Sequence, residues 1–298
     1  MLRNIRYYFE GLLGRAAFVL FLSLDFERAS DVGGALLRAI GPYLPRTRVA
    51  WNNLRRALPE LTGGRLEEII TEMWENIGRF LGEFPHMGRI DKQRLADVME
   101  IEGLEHLDTL RNLNKGSIFV SGHLGNWELA CRAVALHDFP LLLVYRRGNN
   151  PALDNLIQRT RDHYQPDAIP KGPTGARQLV RAVKQGRHIG VLIDQKMNDG
   201  MPVPFFGRDA MTGPAIARLA LRFDCPLVPC RMIRVRGHKQ KLIIYPPLVI
   251  NRTGDTKRDV LAIMTRINAM LEDWIRDYPA QWLWIHNRWP KEVEVSSV

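Results

Sequence analysis

Cysteine is scarce in this chain: Cys131, Cys225 and Cys230 are the whole complement in 298 residues, an odd number with no metal-ligand spacing. That excludes a disulfide framework and a cysteine-built zinc site, and it fits reduced, buried thiols in a cytosolic setting. His-Glu-x-x-His, Gly-x-Ser-x-Gly and the P-loop are all missing, so zincin, serine-esterase and NTP-driven chemistries fall away. No apolar run is long enough for a simple membrane span. The longest, 12–24, is broken by Arg15 and ended by Asp25, and as a helix it would be ~20 Å long against the ~30 Å of a hydrocarbon core. No small-x-small site follows it, which argues against a cleaved leader.

Acidic residues are the next shortage. The formal net charge is +10, and residues 141–190 hold nine Lys/Arg against three Asp/Glu. Such a stretch meets something anionic. Its basic residues are interleaved with apolar segments rather than gathered on one recognition helix, and no nucleic-acid motif is present, so nucleic acid is not the expected partner. The first sixty residues carry nine Arg and no Lys against five acids, with Arg6, Tyr7 and Tyr8 just before the apolar run. That combination suits anionic headgroups, and a helix lying on or dipping into a membrane is expected over residues 1–45.

At 46% hydrophobic and 25% charged residues, the chain can bury one large core. Apolar spacing predicts helices over 31–43, 46–58 and 66–81, with no strand among the first ninety residues. From about residue 98 the texture alternates. Strands are expected at 118–121, 141–145 and 189–194, and helices at 126–137, 151–163, 174–185 and 213–223. Two strands without a helix between them, 227–235 and 241–245, read as antiparallel, and a long helix follows over 256–278. Repeated β-then-α segments imply a mainly parallel sheet covered on both faces, in a single α/β domain with a helical N-terminal cap. Residues 46–298 would form that domain, with a helical lead-in to about 95.

His123 stands just past the apolar strand 118–121, at its carboxyl end, where ligands gather in such sheets. Glu128 follows five residues later. On one continuous helix a spacing of five turns the second side chain through about 140°, but a loop between strand and helix lets the two meet. A neutral imidazole suits removal of a hydroxyl proton at cytosolic pH, and a carboxylate accepting its other N–H would fix the tautomer. His123 is therefore the candidate general base and Glu128 its orienting acid. Asn126, in the same turn, is a good N-cap and a further candidate for substrate contact. A second pair with this spacing, His86 and Asp91, follows a proline and reads as a loop. Arg146 and Arg147 are candidates for phosphate or sugar-acid recognition. Asp194 either holds one of the arginines or caps a turn. Phe205, Phe206 and the Trp-rich stretch 282–289 are either acyl-channel lining or plain core.

Gly-His-Leu-Gly-Asn-Trp-Glu at 122–128 resembles the signature of the bacterial lipid A biosynthesis acyltransferases, the lauroyl/myristoyl transferase family within the wider glycerolipid acyltransferase group. Further matches run in order: the Arg48 to Glu60 lead-in, Val144-Tyr-Arg146, Asn150-Pro151, Asp154, Arg161, Ile193-Asp-Gln195, Val203 to Gly207 and Gln281 to Trp289. Lys196 and Asn287 depart from the family's habit, and both bear on which acceptor fits. The resemblance implies transfer of a fatty acyl chain from an acyl carrier protein thioester to a hydroxyl of a lipid A precursor such as Kdo2-lipid IVA. It implies no covalent intermediate and no metal or other cofactor, the acyl carrier protein being a co-substrate. Arg161, at the family's matching arginine, would be the oxyanion donor or a phosphate ligand. The partners would be the carrier protein, an anionic phosphorylated glycolipid and a membrane surface, at the cytoplasmic face of the inner membrane. Two rivals stand beside this reading: an acyltransferase for another membrane glycolipid or glycerophospholipid, and a non-catalytic basic protein that binds membrane or nucleic acid.

Overall fold

Among the described residues, four α-helices fill the first ninety positions because apolar residues there recur at three-and-four spacing. They are α1 (Leu2–Leu22), α2 (Phe26–Ile40), α3 (Thr47–Ala57) and α4 (Gly64–Glu83). The computed structural model describes residues 2–113, 115–164 and 167–290, so the last eight residues assigned above to the α/β domain lie outside it. Asp25 caps α2 by accepting from the Arg28 N–H, which stops α1 and starts α2 within three residues. Helices α2 and α4 cross at glycines: a Cβ on Gly78 would stand 2.0 Å from the Gly33 carbonyl oxygen, so only bare backbone permits this approach.

The alternating region yields α5 (Lys92–Val98), β1 (Met99–Glu102), α6 (Glu105–Asn112), β2 (Ile118–Ser121), α7 (Trp127–Leu136), β3 (Leu142–Tyr145), α8 (Pro151–Asp162), β4 (Ala168–Pro170), α9 (Pro173–Lys184) and β5 (Ile189–Leu192). It closes with the hairpin β6 (Met201–Phe205) and β7 (Arg208–Thr212), then α10 (Ala215–Phe223), β8 (Leu227–Arg236), β9 (Lys239–Ile244) and α11 (Thr256–Asp277). Seven strands form one sheet in the order β1-β9-β8-β2-β5-β3-β4, parallel throughout except for the β8–β9 pair. This is the expected single α/β domain with a mainly parallel mixed sheet, flanking helices and a helical N-terminal region.

Strand order and right-handed crossovers assign the helices to faces. The chain steps from β1 to β2, from β2 to β3 and from β3 to β4 in one direction, so α6, α7 and α8 cover one face. It then returns to β5 and on to β8, so α9 and α10 cover the other. The cores agree, because Ile118 and Val120 of β2 pack with residues of α9, α10 and α11 while Phe119 packs with α6 and α7. The connections leaving the adjacent strands β2 and β5 therefore run to opposite sides. The crevice between their carboxyl ends is the topological switch point, where ligands of such folds bind.

Several expectations change. Strands β1 and β4 and the β6–β7 hairpin escaped the sequence reading, β4 because it is only three residues long and ends in a proline. Helix α1 begins at residue 2 rather than 12, yet among the described residues no helix is long and apolar enough to cross a membrane. His86 is no loop histidine: it is buried in a 3₁₀ turn (Phe84–Arg89), with its Nε2 2.9 Å from the Phe21 carbonyl. The aromatic residues Phe205, Phe206, Trp282, Trp284 and Trp289 lie in the core and do not line the cavity described below.

Candidate active site

β2 and β5 lie side by side with Ser121 opposite Leu192. His123 and Asp194, each two residues past those partners, therefore stand about one strand spacing apart, ~4.8 Å. Side chains close the gap: His123 Nδ1 is 2.7 Å from Asp194 Oδ1, and the His123 backbone N–H donates to Asp194 Oδ2 at 2.8 Å. Trp282, brought in by a bridge between its backbone and that of Leu124, donates its indole N–H to the same Oδ2 at 2.8 Å. Three donors thus converge on one buried carboxylate. Burial pushes the Asp194 carboxyl pKa up, but the His123 ring and the hydrogen bonds from His123 and Trp282 outweigh it and hold the group well below the usual carboxylate range. His123 keeps 14% of its side chain exposed and lines a cavity, so the ring is held from behind and open in front.

Glu128 does not accept from His123. The turn explains why: Gly125 takes a positive φ of 53°, and Asn126 caps α7 by accepting from the Leu129 N–H, so Glu128 enters the first turn of the helix. There it accepts from Arg161 Nε at 3.1 Å, from Arg161 Nη2, and from the Tyr164 hydroxyl at 2.6 Å. The expected roles are therefore exchanged: the carboxylate assigned to the histidine holds an arginine, and Asp194, thought to hold an arginine or cap a turn, holds the histidine. Desolvation pulls the Arg161 pKa down, but the Glu128 charge and hydrogen bonds prevail and raise it, so the cation persists. Burial and the same carboxylate keep the Tyr164 phenol protonated.

Asn126 is also not placed for substrate. It is fully buried, its oxygen caps α7, and its Nδ2 donates to Glu83 Oε2 at 2.6 Å. Glu83, itself buried, accepts from Arg234 Nη2 at 3.0 Å and from Ser30 at 2.7 Å. A buried polar network from α2, α4 and β8 thus pins the turn that follows His123.

The cavity has a volume of about 200 Å³. It lies between α7 and the sheet, with Phe119, Val134, Leu141, Leu143, Cys230 and Leu242 among its walls. Cys131 also lines it, with a thiol pKa that burial and the Glu128 charge push up to about 12, which leaves the group an inert apolar neighbour. At the strand ends the lining turns polar: His123, Arg161, Arg146, Lys171 and Gln195. Arg146 donates to Asn149, while Arg147 is exposed and does not line the cavity. Sequence reasoning passed over Lys171, and it gave Gln195 no role beyond its place in the Ile193-Asp-Gln195 match. Lys171 follows β4 and has no ion-pair partner among the described residues, and burial and Arg146 lower its pKa against the pull of Asp194. Gln195 Nε2 stands 3.3 Å from His123 Nε2, on the open side of the ring.

Sheet, switch-point cleft and apolar cavity together are those of an α/β acyltransferase. The chain belongs to the bacterial lipid A biosynthesis acyltransferase family, whose profile matches residues 1–291. It is 25% identical over 286 residues to the lipid A biosynthesis palmitoleoyltransferase of Escherichia coli K12, covering 94% of this chain and 91% of that protein. Against the lauroyltransferase of the same organism it is 24% identical, over 84% of this chain and 80% of the relative. A phosphatidylinositol mannoside acyltransferase of Mycolicibacterium smegmatis is 22% identical over 80% of this chain and 77% of its own length.

Proposed function

We propose that the protein transfers a fatty acyl chain from an acyl carrier protein thioester to a hydroxyl of a lipid A precursor of the Kdo2-lipid IVA type. The observation that carries this reading is His123, backed by Asp194 and open at the mouth of a hydrocarbon-lined cavity. With Nδ1–H donated to Asp194, the lone pair of Nε2 faces the cleft and accepts the acceptor's hydroxyl proton as its oxygen attacks the thioester carbonyl. The imidazolium that forms is stabilised by Asp194 and gives the proton to the departing thiolate. Negative charge on the tetrahedral oxygen needs donors already in place, worth ~3–4 kcal/mol each. The Gln195 amide beside Nε2, and Arg161 at Nη1, are the groups we assign to it. Neither an acyl-enzyme nor a cofactor enters this scheme.

The acceptor's phosphates meet Arg146 and Lys171 at the mouth. Helix α1 supplies the membrane contact: Tyr8, Phe9, Leu12, Leu13, Val19 and Leu20 are exposed on it, a dense apolar face for a helix that does not span. The site would then work at the cytoplasmic surface of the inner membrane, where carrier protein and nascent lipid meet. The test is mass spectrometry of lipid A from cells with the gene, without it, and with His123→Ala, alongside transfer by the purified protein. A secondary acyl chain lost in both mutants supports the proposal. Unchanged lipid A with no transfer to the precursor overturns it, and acylation of a mannoside instead would move the chain to the other glycolipid branch.

A further inference from the structure

The surface of α9 and α10 has no role in the scheme above, yet its charge is unusually one-sided. The two helices pack against each other on the face of the sheet opposite the cavity. Arg177, Arg181 and Lys184 of α9 and Arg218 and Arg222 of α10 are all exposed, and neither helix contains an acidic residue. Among the described residues none of these five cations has an ion-pair partner. Arg187 shows the contrast, since just beyond α9 it is paired with Asp167. Ordinary solvated surfaces intersperse both signs, and a single-sign field of this density draws in an oppositely charged partner.

We propose that this face is the docking surface for the acidic carrier protein that brings the acyl chain; the proposal rests on the acyl-transfer reading. Position supports it. Helix α9 starts two residues after Lys171, which lines the mouth of the cavity, and Arg177 lies about one turn, ~6 Å, into the helix. A carrier bound along α9 and α10 can feed its flexible thioester arm over that end of the sheet, past Lys171, to His123. The same geometry disfavours a bilayer as occupant. The apolar face of α1 belongs to the other helical layer, where α1 packs on α8. Lipid would thus approach from one side and carrier protein from the other, so the two substrates do not compete for a surface.

The full-length protein carrying Arg177→Glu, Arg181→Glu and Arg218→Glu together tests this. All three side chains are exposed, and thermal melting verifies that the variant is folded. With acyl carrier protein as donor, KM is expected to rise ~10-fold or more while kcat at saturation is retained, and the salt dependence of the wild-type KM should flatten. Binding of carrier protein to the inactive His123→Ala protein should survive, and fall in the combined variant. Binding to vesicles of phosphatidylglycerol and phosphatidylcholine should not change. An unaltered KM and unaltered carrier binding in the triple variant overturn the assignment, as does loss of vesicle binding with carrier binding intact. Failure of the wild type to transfer acyl chains at all would instead strike the proposed function, and the carrier-binding measurement separates the two failures.

Discussion

Asp194→Asn distinguishes the two carboxylates near His123. Aspartate here presents Oδ2 to two N–H groups, from the His123 backbone and Trp282, and Oδ1 to the ring at Nδ1. Asparagine has the same shape but one oxygen, and the two donors on the Oδ2 side claim it. Its NH₂ then faces Nδ1, which must turn acceptor, and the ring proton moves to Nε2. The base is left with a proton where it needs a lone pair. A wrong tautomer in intact geometry costs ~10³–10⁴ in kcat, or about 4–5.5 kcal/mol in the barrier. Thermal stability should fall only modestly, because the amide keeps the hydrogen bonds from the His123 and Trp282 N–H groups but loses the charge that they and the ring favour. Glu128→Gln should behave differently, since it strips the counter-charge from buried Arg161 and costs about 3 kcal/mol of stability. Steady-state transfer assays with parallel urea melts on both variants read the contrast. Near-normal turnover in Asp194→Asn, or abolished turnover in Glu128→Gln with unchanged stability, would refute the assignment and return the histidine to Glu128.

Three other outcomes are expected. Gly78→Ala forces a methyl into the Gly33 backbone and should destabilise the protein by ~1–3 kcal/mol in urea melts. Val134→Phe narrows the cavity among its apolar walls, and competition between donors of different length should show a shift toward shorter chains. With ~0.8 kcal/mol per buried methylene, two lost methylenes change the preference about 15-fold. Burial lowers the pKa of His188 and of His286 from 6.5 to about 4. The unfolded chain therefore binds more protons between these values, so both contributions are full above pH 6.5 and are lost as pH falls toward 4. Urea melts at pH 7.5 and 4.5 should show the decline, and His188→Gln should reduce it.

The sequence was legible wherever a signal is local. The run 118–121 was placed as a strand to the residue, and the N-cap at Asn126 and the antiparallel character of β8 and β9 were read correctly, because each depends on neighbours along the chain. His123 was placed rightly at a strand end for the same reason. Its partner was not, because sequence proximity stood in for spatial proximity: Glu128 is five residues away, whereas Asp194 is 71 away and adjacent only through the β2–β5 register. Lys171 goes unseen and Gln195 unassigned likewise, since each follows a strand whose neighbour in the sheet is invisible before the order is known. Knowing that order, a reader could have found all four polar groups by taking the first residues past β2, β5 and β4.

Strand β5 comes late in the chain yet belongs in the middle of the sheet, between two strands made well before it. A nascent chain that has β2 and β3 but not yet β5 carries the histidine with nothing behind it. The strand that slots between β2 and β3 is also what sets Asp194 against the ring, so the histidine has no carboxylate to fix its tautomer until that pairing is made.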